Sequence, residues 1–550
     1  MRRTLLATIL ALTACATTTP ARKTMPATAL SMLDLKITNG RILDGTGAPW
    51  FHGDVGIRGD SIVAVGQLQD LPARATIDAG GRIVAPGFID LLSWSQESVI
   101  DNPHLEAHVR QGITTAIAGE GESPAPRLAE KLTKESPWLT LGDFLDQVDK
   151  QGSAINFALL VGASNPREMV IGDVNRAPTA AEMREMEAIV DQAMRDGAIG
   201  ISTSLIYVPA MYSTTDEITN LARVAAKYDG MYFSHIRDEG DHIDAALDEA
   251  FGIGRNAGIP VNIWHLKIGG RPNWGKMPAV IERIAAARAA GLDVAANVYP
   301  YAASGTALST LAPDWAMEGG FDDFRKRLQN PEDRIRIADA LRAQYARRGP
   351  RGIYVSQIFA EAQKPYAKKF IEEIAAEMNV PVEEALMTLF AADEKSPRVI
   401  FFSMNEDDVR AALKTPWVSV GSDASAPGDK ARAENTSVHP RSYGTFPRVL
   451  GRYARDEKLF SLEEAVRKIT SQAASRAHLY DRGILRAGMK ADVVIFDPAT
   501  IRDVATFEDP HHYSEGITDV VVNGVPVLRN GAITAALPGK TIRGKGYRRK

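Results

Sequence analysis

Apolar and polar positions alternate in three textures along the chain. From 33 to 85, short β-branched runs are broken by Gly, Asp and Asn, as in LDLKITNGRILDG, GDVGIRGDSIVAVG and TIDAGGRIVAPG. Runs of that length and spacing predict a small β-sheet. The same texture returns in ADVVIFDP and DVVVNGVPVLRNG, so 33–85 and 483–550 are expected to build one β-sandwich from both ends of the chain. Between them, apolar runs at 83–91, 114–118, 155–161, 198–203, 231–235, 261–266, 294–299 and 417–421 alternate with helical patterns such as 180–195, 243–257 and 280–290. Eight strands in a βα series predict an α/β fold, a (β/α)8 TIM barrel over 86–482, with its chemistry at the C-terminal ends of the strands. An excess of about 115 residues separates the seventh and eighth runs. Charged helical stretches at 333–347, 366–378 and 382–390 and strand-like runs at 352–359 and 398–403 place an insert there, about 312–415, over the barrel mouth. Loops of that size usually carry function.

Composition changes this picture at one residue. The 550 residues are 45% hydrophobic and 24% charged, and 64 basic against 68 acidic side chains argue against a nucleic-acid binder. The single cysteine, Cys15, excludes an intrachain disulfide, a zinc finger and a cysteine nucleophile in the body of the chain. Arg2 and Arg3 precede an apolar run, 5–12, too short to span a bilayer. Residues 12–15, LTAC, then resemble a bacterial lipobox, with 1–15 as the signal and 16–32 as a flexible tether. The competing reading is a buried core cysteine, which a tether-like neighbourhood does not favour. A lipid anchor would place the protein on the bacterial cell envelope, facing the periplasm, and would be its only membrane contact. The last eleven residues, 540–550, hold six basic ones and read as a solvated tail, or as a contact for anionic lipid. Oligomeric state is not legible.

Three strand ends carry the candidate chemistry. Run five ends in Ser234-His235-Ile236-Arg237, run six in Trp264-His265-Leu266-Lys267 and run eight in Gly421-Ser422-Asp423. Each histidine alone could be a satisfied core residue. Together, two histidines and an aspartate have the composition of a catalytic zinc site with an activating carboxylate.

The chain resembles the amidohydrolase superfamily, and within it the D-aminoacylase (N-acyl-D-amino-acid deacylase) branch. The resemblance is carried by PGFID (86–90), QGITT (111–115), YFSHIRDE (232–239), WHLK (264–267), YPYAASGT (299–306), GSDAS (421–425), HPRSYGTFPRVLGRY (439–453), GILRAGMKADVVIFDP (483–498) and the stretch 507–527. It implies hydrolysis of a small amide by a metal-activated water. His235 and His265 would be metal ligands, and Asp423 would act as general base and then acid. Departures narrow the expectation. The superfamily follows PGFID with a residue and then His-x-His, whereas Leu92 and Trp94 stand there. Strand four ends in Ser202-Thr203-Ser204, without a bridging lysine or glutamate. The branch also places a cysteine ligand after strand two, where this chain reads Gly119-Glu120-Gly121-Glu122-Ser123. Glu120 is the expected replacement, with Glu122 as the alternative, or else both sit in solvent. The expectation is one zinc per chain, held by Glu120, His235 and His265.

Arg441 is the expected anchor for the free carboxylate of an N-acyl amino acid, because a guanidinium fork matches that group. Lys267, Tyr299 or Tyr301, and Ser304 are further substrate-binding candidates, while Arg237, Asp238 and Glu239 could brace the ligand histidines. His104 and His108 share a helical face expected in solvent. His52, His242, His439, His511 and His512 carry less weight. The leading function is deacylation of N-acyl-D-amino acids. The alternatives are a dipeptidase or other small-amide hydrolase, and an inactive amidohydrolase-like binding lipoprotein, against which retention of His235, His265 and Asp423 argues.

Overall fold

The computed structural model describes residues 32–433 and 438–548. Cys15, nearly all of the 16–32 tether and the last two residues of the tail lie outside the described residues. No described helix is long and apolar enough to cross a membrane.

The small domain is hydrogen-bonded as one nine-stranded sheet. Its order is Ala532–Ile533, Val525–Arg529, Ile517–Val522, Val493–Phe496, Ile83–Pro86, Leu33–Ile42, Phe51–Arg58 and Ser61–Gly66, with Ala73–Asp78 also beside Leu33–Ile42. Strand Leu33–Ile42 pairs with Ala73–Asp78 along its first half and with Ile83–Pro86 only at its end, so the sheet divides there. Ile37, Ile57 and Val84 then share one core with Val493, Ile495 and Val521. The two termini are therefore held together by a common apolar interior, and the sandwich is a single sheet wrapped around it.

Eight parallel strands form the barrel: Phe88–Ser93, Ile113–Ala118, Asn156–Leu159 continued by Val161–Gly162, Gly200–Ser204, Met231–His235, Val261–Ile263, Val294–Val298 and Val418–Val420. Their residues are buried throughout, as strands covered on both faces require. The third strand joins two ladders, its first half pairing with strand two and its second with strand four. Strand eight meets strand one through Asp423 N donating to Leu92 O at 2.8 Å and Trp94 N to Ala424 O at 2.9 Å. Asp90 fastens the same seam by accepting from Ser422 N at 2.8 Å. Inside, Ile89, Leu91, Ile117, Phe233 and Trp264 fill the barrel.

The excursion between strands seven and eight carries its own antiparallel sheet, in the order Ser304–Ala307, Arg398–Phe401, Ile353–Gln357, Lys369–Phe370. Helices Pro331–Arg348, Ile371–Met378 and Val382–Ala392 pack against it around Ile353, Phe390 and Val399. This sheet starts at Ser304, earlier than the charged helices suggest, because the small residues SGTA give no strand signal of their own.

The basic tail is docked rather than solvated. Gly539 N donates to Ser153 O at 2.8 Å, Ile542 N to Phe157 O at 2.7 Å and Gly544 N to Gly197 O at 2.9 Å. Arg543 bonds Asp146 at 2.6 Å and Lys545 pairs with Asp229. The tail backbone thus runs under the N-terminal ends of strands three and four, with Arg543 and Lys545 paired to carboxylates while Lys540 and Arg548 stay exposed.

Candidate metal centre

Strands two, five and six bring three donor atoms to one point. Glu120 Oε1 lies 2.9 Å from His235 Nδ1 and 2.9 Å from His265 Nε2, and the two nitrogens are 3.0 Å apart. All three side chains are buried, with residue exposures of 3%, 4% and 2%. One carboxylate oxygen and two imidazole nitrogens offer converging lone pairs, which a divalent cation satisfies together, and the O/N/N set suits zinc. Glu122 is exposed and outside this group.

Local backbone explains how Glu120 gets there. Gly119 and Gly121 flank it with φ of 95° and 66°. A Cβ on Gly121 would come within 2.3 Å of Ser204 Cβ, and one on Gly119 within 2.4 Å of Leu160 O. Only glycine fits such a tight turn. Ser202, in the middle of strand four, grips both sides of the turn: its hydroxyl accepts from Gly121 N at 3.0 Å and donates to Gly119 O. At the ends of strands six and eight, His265 and Asp423 have positive φ, 35° and 51°. Non-glycine residues enter that region rarely, and such strain clusters at functional sites.

Glu239 braces both histidines. Its Oε1 lies 3.0 Å from His265 Nδ1 and its Oε2 3.4 Å from His235 Nε2. A proton on His265 Nδ1 directed at Glu239 leaves Nε2 free as a ligand. Lys267 joins this group, with Nζ 2.6 Å from Glu239 Oε1, and it lines the same cavity as His265, Tyr299 and Tyr301. Burial would raise the Glu120 carboxyl, but His265 and His235 hold it well below the usual carboxylate range. Burial and Lys267 lower the His265 imidazole, while Glu239 and Glu120 carry it up to about 9. Both shifts report a pocket whose net field favours a cation.

Across the mouth, Asp423 is held differently. Trp94 Nε1 donates to Asp423 Oδ1 at 3.0 Å, and Arg441 Nη1 lies 2.6 Å from Oδ2. Arg441 also stacks over Tyr299 at 4.7 Å and donates from Nη2 to Gly305 O at 3.3 Å. The Tyr299 hydroxyl is buried with no protein partner. Burial lifts its pKa; Arg441 opposes the rise, and Asp423, Glu239 and Glu120 add to it. Tyr299 therefore faces both halves of the mouth. Tyr207 behaves alike, raised by burial and then by Glu120, and its hydroxyl meets Thr306 of the insert at 2.7 Å. Nothing in the sequence singled out Tyr207; it lies in the loop after strand four, without a motif.

The other candidates lie farther out. Tyr301 packs on His439 at 5.3 Å and carries Arg448 over its ring at 4.6 Å, and Ser304 pairs with Phe401 in the insert. His439 donates to Ala303 O at 2.9 Å and accepts from Arg441 N at 3.0 Å, which fixes the start of the Arg441 helix. Arg237 clamps Glu249 at 2.9 Å. His108 is fully buried against Ser93 Oγ at 3.0 Å, contrary to the solvated face expected, and burial lowers its pKa to about 3.

Comparison with known proteins agrees with this geometry. The model described as "Amidohydrolase family" matches residues 75–528. The chain is 36% identical to D-aminoacylase of Alcaligenes xylosoxydans xylosoxydans, over 92% of this chain and 97% of that protein. It is 37% identical to N-acyl-D-glutamate deacylase of the same organism, over 93% and 96%. Among solved structures, N-acyl-D-glutamate deacylase from Bordetella bronchiseptica, complexed with zinc and a phosphonate mimic of the tetrahedral intermediate, superposes with a TM-score of 0.80 at 34% identity. That match covers 94% of this chain and all of the other. By a family model spanning most of its length and by relatives aligned almost end to end, the chain belongs to the amidohydrolase family.

Proposed function

We propose that this protein is a one-zinc amide hydrolase that removes the acyl group from N-acyl-D-amino acids. The observation that carries the reading is the convergence of Glu120, His235 and His265 opposite a carboxylate, Asp423, already paired with a guanidinium. Zinc held by the three would polarise the scissile carbonyl and lower the pKa of a bound water towards about 7. Asp423 takes the proton from the attacking water and returns it to the departing amine nitrogen, so the carboxylate ends as it began. Arg441 retains donors beyond its contact with Asp423, and with the Tyr299 hydroxyl it offers a fork and a hydrogen bond to the substrate's free carboxylate. The identities to D-aminoacylase and to deacylases of N-acyl-D-glutamate and N-acyl-D-aspartate support the D configuration and the substrate class.

Matched N-acetyl-D and N-acetyl-L amino acids test this directly. Turnover of the D series is expected, and equal rates on both series remove the substrate claim. Elemental analysis should give about one zinc per chain. Two would contradict the one-metal site, and none would favour an inactive binding lipoprotein. The LTAC sequence and tether further support lipidation at Cys15 and a periplasm-facing place on the cell envelope. Palmitate labelling in the native host that persists in Cys15→Ser would exclude it.

A further inference from the structure

Trp94 stands at the second of the two positions where the superfamily's His-x-His pair would place a metal ligand. It is more than a loss. Its indole N–H donates to Asp423 Oδ1 at 3.0 Å, and its backbone N–H bonds Ala424 O at 2.9 Å. Asp423 N is fixed in turn to Leu92 O at 2.8 Å. Strand one thus holds the catalytic aspartate from both sides, by Leu92 through the backbone and by Trp94 through the side chain. An N–H pointing at Oδ1 takes up a lone pair that a cation could otherwise use, and an indole nitrogen has no in-plane lone pair to ligate one.

We propose that Trp94 is the positioning residue for Asp423, and that its indole N–H takes the place of a second metal ion. The proposal rests on Asp423 being the proton carrier. Held between Trp94 and Arg441, Asp423 keeps one orientation whether or not excess metal is present. The wild-type protein should therefore bind one zinc per chain and keep its full kcat when zinc is added in excess.

Four measurements test this and separate it from its premise. Trp94→Phe keeps the ring and loses the donor. It should lower kcat by about tenfold, the scale of one hydrogen bond to a charged group, with KM within about twofold and zinc still at one per chain. Asp423→Asn should abolish turnover. If Asp423→Asn stays active, the premise fails. If Asp423→Asn is inactive while Trp94→Phe keeps wild-type kcat, only the proposal fails. The third measurement needs no folded Trp94 variant. In protein labelled with 5-fluorotryptophan at its seven tryptophans, Asp423→Asn should shift a single fluorine resonance, and no shift would overturn the contact. Finally, Leu92→His with Trp94→His should raise zinc to about two per chain. A wild-type protein that itself takes up two zinc ions would overturn the proposal.

Discussion

The two sides of the barrel mouth solve opposite problems with similar residues. On the side of strands two, five and six, a carboxylate oxygen and two imidazole nitrogens converge, a set that can give three lone pairs to one cation. On the side of strands one and eight, a carboxylate faces an indole N–H and a guanidinium, and every atom aimed at it is a donor. The first arrangement asks for a cation. The second already has its donors in the protein, and they orient Asp423 for proton transfer. A carboxylate's role at this mouth is thus set by what its neighbours present.

Glu120→Ala should break the first side most severely. Zinc content should fall below one per chain and kcat/KM should drop on the order of a thousandfold, the scale of lost Lewis-acid stabilisation. Wild-type zinc in that variant would return the ligand role to Glu122. Glu239→Gln removes the brace and should weaken zinc by about 10–100-fold in a chelator competition, as for other partners of ligating histidines. On the opposite side, Arg441→Lys keeps the charge but loses the fork. Its KM should rise about tenfold with zinc unchanged, and a fall in zinc instead would mean that the two sides are not independent. Gly121→Ala forces a Cβ onto Ser204, so thermal unfolding should show a loss of about 1–3 kcal/mol together with weaker zinc. Glu122→Gln, one residue beyond that turn and exposed, should leave zinc and turnover unchanged and stability within about 0.5 kcal/mol.

Much of this was legible in the residues. The apolar runs marked all eight barrel strands, because strands covered on both faces must be apolar throughout. His235, His265 and Asp423 stood out because strand ends are where such a barrel exposes side chains. Glu120 followed from the missing cysteine and its place after strand two. Other features gave no such signal. Glu239 was one of three charged residues after His235, and only the fold showed which one reaches both imidazoles. Lys267 read only as a substrate-binding candidate, and its ion pair with Glu239 had no signal along the chain. The basic tail read as solvated, since its partners Asp146, Asp149 and Asp229 are hundreds of residues away.

The sequence by itself therefore determined the barrel, the residue types at the strand ends and the absence of a histidine pair after strand one. Those properties are local: periodicity, and which side chains can or cannot carry a lone pair. Only the tertiary structure decided how the charges are shared. It tied Trp94, on strand one, to Asp423 on strand eight, and it gathered Glu120, Glu239 and Lys267 around both histidines. Hydrogen bonds and ion pairs act over about 3 Å, and no pattern along the chain records which distant residues will meet at that range.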